Sequence, residues 1–178
     1  MANSYLQTVF TIPVTSTEAA LLEECFTASS EISNNLTELP AEGMQVVKTY
    51  YASRSEAFRI LFPQKPDEED PFATFLDLWS DPCMPTFDAD LNIRADADAK
   101  HPFAFISGHE ADVHALASLI QKVCKSALPF GFQWAEVCDK DRPDAFGGGY
   151  YVITDDEIFG GPTRRLMEET LQTLRAGA

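Results

Sequence analysis

FGFQWAEVCDKDRPDAFGGGYYVITDDEI, Phe130 to Ile158, is the stretch whose reading decides the fold. Two runs rich in aromatic and β-branched residues are held apart by a charged, proline-containing loop and by the consecutive glycines Gly147, Gly148 and Gly149. That pattern reads as a β-hairpin. Its aromatic residues, Phe130, Phe132, Trp134, Phe146, Tyr150 and Tyr151, are the densest in the chain and are expected to form the middle of the core.

Upstream of the hairpin, Val113, Leu116, Ala117, Ile120, Val123, Cys124 and Ala127 recur at helical spacing through about five turns. Ser107-Gly108-His109-Glu110 has the spacing of a capping box that opens this helix. Before it come a short strand over Phe103–Ser107, a turn over Asp96–Lys100, and Phe87–Ala95, where apolar and polar residues alternate as in a strand with one wet face. Downstream, Gly160-Gly161-Pro162 reads as the turn into a closing helix, Pro162 to Arg175, with Leu166, Met167, Thr170, Leu171 and Leu174 on one face.

In the N-terminal half, Tyr5–Val14 reads as a strand with Pro13 near its end. Thr15-Ser16-Thr17-Glu18 is a capping box for a helix carrying Leu21, Leu22, Cys25 and Phe26. Gln45–Tyr51 is β-prone and expected to be a short strand, the start of a helix being the alternative. Ser53-Arg54-Ser55-Glu56 is read as a further box. Asp70-Pro71 is read as the start of a helix bearing Phe72, Phe75, Leu76 and Trp79. The order of elements predicts an α+β domain: a mostly antiparallel sheet covered by helices, ferredoxin-like with an extra strand from Phe87 onward. One domain spanning 1–178 is expected, any smaller lobe being confined to residues 34–85.

Thirteen Lys plus Arg against 28 Asp plus Glu leave a net charge of −15, which repels phosphate backbones and anionic lipid and attracts basic partners. No direct nucleic-acid or membrane binding is therefore expected. MANSYLQTVFTIPV lacks the parts of a secretory signal, so a cytoplasmic protein is expected. The four cysteines, Cys25, Cys83, Cys124 and Cys138, are scattered without a C-x-x-C pair.

Several chemistry-bearing residue types lack the pattern their chemistry needs. Phe146-Gly147-Gly148-Gly149 matches no phosphate-binding glycine motif, and a strand follows where a helix would begin; these glycines are read as structural, a bare patch across which Trp134 can lie. Asp88-x-Asp90-x-Asn92 opens like a calcium loop, but Ile93 and Ala99 stand where that loop needs Gly and a bidentate Glu. His101, His109 and His114 have no zinc spacing, so neither a metal nor a cofactor is expected. Arg164 and Arg165 oppose the dipole of the closing helix, and pairing with Asp155, Asp156 and Glu157 is their expected compensation.

The string from Trp134 to Gly149 resembles a W-A-x-x-C-x-K-x-R-P-x-x-F-G-G-G hairpin signature found in uncharacterised proteins carried by phages and plasmids. With a weaker match over the preceding helix, the resemblance spans about a third of the chain. It implies a mobile-element setting and carries no assigned reaction.

The leading expectation is a non-enzymatic acidic binding protein that engages a basic protein, of inhibitor, immunity or nucleic-acid-mimic type. Its candidate contact residues are Trp134, Glu136, Asp139, Lys140, Asp141, Arg142 and Asp144 on the hairpin, with Asp155, Asp156 and Glu157 beyond it. Two alternatives stand beside it. One is a small enzyme using Cys138, Glu136 or Asp139 with Arg142 in a pocket by the hairpin. The other is an assembly component that forms a homodimer through a sheet edge.

Overall fold

The computed structural model describes residues 4–36, 43–95, 102–140 and 146–176; the expected turn at 96–100 lies outside them. The first strand, β1 (Ser4–Pro13), lies inside the sheet and joins its two halves, pairing with one strand on each edge. Around it lie β2 (Asp90–Arg94), β3 (Phe103–Gly108), β4 (Phe130–Cys138), β5 (Gly147–Ile153) and β6 (Ile158–Pro162). The six strands stand in the order β2-β3-β1-β4-β5-β6, and every neighbouring pair is antiparallel. Since β3 and β4 both oppose β1, they run parallel to each other. A helix, Val113–Val123, carries the chain between them. This split β-α-β unit is the ferredoxin-like element of the fold, and the strand that splits it comes from the N-terminus.

The hairpin is β4 and β5, with Trp134 opposite Gly149 and Phe130 opposite Ile153. Side chains alternate across a strand, so the register assigns each residue to a face. Leu6, Phe10 and Ile12 of β1, Ala104 and Ile106 of β3, Phe132 and Trp134 of β4, and Tyr151 and Ile153 of β5 share the inner face. Two helices complete that layer: α1 (Ser16–Glu31), with Leu22 and Cys25, and α5 (Val113–Val123), with Leu116 and Ile120, belong to the same buried cluster. The cluster also takes in Val47, Phe58, Phe72 and Phe75, so residues of the 34–85 stretch share one core with the sheet.

The N-terminal helix starts as its sequence dictates. Thr15 accepts from the Glu18 amide at 3.2 Å, and Glu18 accepts from the Thr15 amide at 2.8 Å. Elsewhere the structure corrects the sequence reading. Residues expected as a strand at Gln45–Tyr51 form α2 (Met44–Ala52), because Met44, Val47 and Tyr51 recur at i, i+3 and i+7 and pack into the core. Ser55 caps α3 (Glu56–Leu61), whereas Ser53 closes α2. After Asp70 only one turn forms, α4 (Ala73–Leu76), although Phe72, Phe75, Leu78 and Trp79 are all buried.

The expected box at Ser107 does not form: Ser107 is paired with Val9 and Asp90 in the sheet, and Asp112 caps α5 instead. That helix therefore ends within eleven residues, and a 3₁₀ turn follows at Lys125–Ala127. The expected strand at Phe87–Ala95 shortens to β2, because Asp88 has a φ of 46° and breaks the extension. Gly160-Gly161-Pro162 is no turn but the end of β6. The closing helix is α6 (Thr163–Ala176). The hairpin is also not the aromatic centre, since Phe146 and Tyr150 point to solvent. The densest ring cluster is Phe58, Phe62, Phe72, Phe75 and Trp79.

Candidate functional site: the open face of the sheet

The outer face of the sheet carries Gln7, Val9 and Thr11 of β1, Phe105 and Ser107 of β3, Gly131 and Gln133 of β4, Tyr150 and Val152 of β5, and Phe159 of β6. Register brings Gln133 opposite Tyr150, Gly131 opposite Val152, and Val152 opposite Phe159. Val9 is 65% exposed and Phe159 48%, and Tyr150 and Val152 are open to a similar degree. A patch of β-branched and aromatic side chains that stays wet on one face of a sheet is the usual mark of a contact surface. At the β2 edge, the Arg94 guanidinium lies 4.3 Å from the Phe105 ring centroid and covers it.

One end of this face deepens into an acidic groove. Two adjoining concavities, of about 510 and 410 Å³, share Gln7, Asp88 and His109. The first adds Tyr5 and Glu110; the second adds Val9, Asp90 and Ser107. Local backbone chemistry builds the groove. Asp88 holds its left-handed conformation through a Thr86 hydroxyl, which accepts from the Asp88 amide at 3.1 Å and donates to its carboxylate at 2.9 Å. The Asp88 carbonyl then sits 2.6 Å from where a Cβ on Gly108 would stand, so only glycine lets the β2 approach close against the end of β3. Next, the Ala111 amide donates to Leu6 and the Asp112 amide to Phe87, which fixes the bend carrying His109 and Glu110. His109, expected in the first helical turn, precedes α5.

Among the described residues, those singled out from the sequence do not come together. Trp134 is buried in the core, its ring 4.7 Å from that of Tyr151 and lying across Gly149. Glu136 is half-buried with its carboxylate beside Gly147. Asp139 and Lys140 are exposed at the hairpin tip, where the Cys138 thiol lies 3.8 Å from the Asp139 carboxylate. Asp141, Arg142 and Asp144 lie outside the described residues. Asp155, Asp156 and Glu157 are exposed in the turn after β5, at the opposite end of the hairpin, about 20 Å away along the ladder. Asp155 pairs with Lys125 at 3.1 Å. Arg165 does not compensate that acidic run: it donates to the Gly160 carbonyl at 2.7 Å and pairs with Glu169 at 3.5 Å. No group of three or more His, Cys, Asp or Glu among the described residues is arranged to hold a metal ion.

The open face was readable in one signal that the sequence reading passed over. Val9-Phe10 in β1 and Tyr150-Tyr151-Val152-Ile153 in β5 are apolar at consecutive positions. A strand apolar on both faces is either covered twice or leaves one apolar face in water. No helix among the described residues is long and apolar enough to cross a membrane. No family model, curated protein or solved structure matches this chain.

Proposed function

We propose that this chain is a non-enzymatic acidic binding protein that takes a basic protein partner on the open face of its sheet. The observation that carries the reading is the continuity of Val9, Tyr150, Val152 and Phe159 with the groove lined by Asp88, Asp90 and Glu110. Apolar side chains at the centre supply the area to be buried, and carboxylates at the margin select cations. A partner offering Lys or Arg beside apolar residues fits both halves. The mixture favours recognition of a protein surface over imitation of a nucleic-acid backbone, which would call for a carboxylate track without Val9 and Tyr5 among the charges. An inhibitor or immunity protein of a mobile element, the setting that the resemblance of the Trp134–Gly149 motif implies, would meet such a partner in a host or in a rival element.

The test is capture from host lysate at moderate salt with three versions of the chain. The parent should retain basic proteins. Asp88→Asn with Asp90→Asn should release them without loss of stability, since Asn tolerates the left-handed backbone at 88. Tyr150→Ala with Phe159→Ala should do the same from the apolar side. Retention of the same proteins by both variants, or a retained set that is not basic, would refute the proposal.

A further inference from the structure

The element least explained by the fold is α6. It leaves β6 anchored by the Thr163 hydroxyl, which donates to the Gly148 carbonyl at 3.0 Å, and by Arg165 on the Gly160 carbonyl. Beyond that root, among the described residues of the helix, only Leu166 is half-buried. Met167, Leu171 and Leu174 are 57%, 40% and 66% exposed. Their spacing of four and then three residues is the narrow seam of a coiled coil, whereas a helix lying on a globular core shows a broader stripe. The seam asks for another helix.

We propose that α6 pairs antiparallel with α6 of a second copy of this chain. Charge decides both the partner and the direction. With Leu171 facing Leu174 of the second copy, and Leu174 facing its Leu171, Glu168 of each chain flanks Arg175 of the other. The two-fold thus closes the seam with two ion pairs. A parallel pair would set Thr170 beside Arg175 and leave Glu168 unmatched. Two chains of net charge −15 repel elsewhere, but α6 carries Arg164, Arg165 and Arg175 against Glu168 and Glu169, so they meet where the local balance is not acidic. A helix pair this short buries less than the roughly 1,200 Å² of a standard interface, which makes the dimer weak and reversible.

Sedimentation equilibrium of the full chain from about 5 to 500 µM, a range suited to interfaces of that size, should show a monomer–dimer equilibrium. Leu171→Glu should abolish it while leaving the thermal melt unchanged, as expected for an exposed position. Glu168→Arg or Arg175→Glu alone should weaken the dimer about tenfold, and the two together should restore it. A monomer throughout, a dimer indifferent to Leu171→Glu, or a double charge swap that fails to recover would overturn the proposal. Dimers that survive the helix variants and dissociate in Tyr150→Ala with Phe159→Ala would overturn it too, since they would place the second copy on the sheet.

Discussion

Gly149→Ala is the substitution that most directly probes the hairpin. A Cβ at Gly149 would run into Trp134 Cζ2, and would lie 2.7 Å from Trp134 Cε2 and 2.5 Å from the Gly161 carbonyl oxygen. Comfortable carbon contacts begin near 3.5 Å, so something must move by about an ångström. The carbonyl is pinned by the β5–β6 ladder, in which Tyr150 faces Gly161. The indole is held between Phe132 and Tyr151, with ring centroids at 6.3 and 4.7 Å. Overpacking of this kind costs about 1–3 kcal/mol, and expelling the indole moves the cost toward the roughly 3–5 kcal/mol of losing a buried Trp. A value of about 3 kcal/mol lowers the melting temperature by about 6–12 °C for a chain of this length. Gly147→Ala is the internal control. Its Cβ would meet Glu136 Oε2 at 3.3 Å, the end of a side chain that can turn away, and Thr163 Oγ1 at 3.9 Å, an ordinary contact, so the cost should stay below about 1 kcal/mol. Urea unfolding followed by tryptophan fluorescence and far-UV circular dichroism measures both. If Gly149→Ala unfolds within about 0.5 kcal/mol of the parent, or no earlier than Gly147→Ala, the indole does not rest on that glycine and the reasoning fails.

Three further outcomes are expected. Gly148→Val should destabilise as strongly as Gly149→Ala, because Gly148 has a φ of 155° and its missing Cβ would strike the Trp134 carbonyl; an unchanged melt would exclude this. Glu18 accepts from the Thr15 amide and hydroxyl at 2.8 and 3.0 Å and from the Ser126 amide and hydroxyl at 2.8 and 2.5 Å. Partial burial pushes the Glu18 pKa up, but these hydrogen bonds outweigh it and hold the carboxyl below its ordinary 4.5. The sign follows: its stabilisation is complete above pH 4.5 and is lost as pH falls through the lower folded value. Glu18→Gln should therefore cost about 1–2 kcal/mol near neutrality and progressively less in acid, and a cost independent of pH would refute the role given to the charge. Finally, Cys83 is exposed, whereas Cys25 and Cys124 are buried, and burial raises the Cys124 pKa to about 12. Cys83 should react quickly with a thiol reagent in the folded protein, and Cys25 and Cys124 only after unfolding; rapid native labelling of Cys124 would contradict the burial.

What the sequence made legible was whatever a local rule controls alone. The Thr15–Glu18 box opens α1, the alternation in β1 and β4 builds strands, and the run from Val113 to Val123 is a helix. Where two local rules competed, tertiary pairing chose. Ser107 to Glu110 has capping spacing, but Ser107 gains more from its place between Val9 and Asp90 in the sheet. Gln45–Tyr51 has strand composition, yet Met44 joins Val47 and Tyr51 against the core, and a strand would put Met44 on the face opposite the other two, whereas a helix brings all three to one side. β6 was illegible because Gly160 and Gly161, with φ of 104° and 140°, have turn composition and become a strand only by pairing with β5. The site was missed for a related reason. Trp134 looks like a contact residue until register turns it inward with Phe132, and Val9 looks like core until the same alternation turns it outward.

The acidic composition then acquires a structural reason. A sheet face showing Val9, Tyr150, Val152 and Phe159 is the kind of surface that associates without discrimination. A net charge of −15 suppresses that, because any two copies repel before their apolar faces touch. The same field would favour the cationic partner proposed above, so on that proposal one property both protects the face and selects what covers it. Repulsion should be weakest at α6, where arginines outnumber glutamates, and that is where a second copy can approach. Salt should separate the two proposed contacts: screening would weaken capture of a basic partner at the Asp88–Asp90 groove, while for the helices the relief of repulsion between two chains of net charge −15 would outweigh the loss from two exposed Glu168–Arg175 pairs. Opposite salt dependences for the two associations would follow from this division of charge, and a common dependence would mean that both use the same surface.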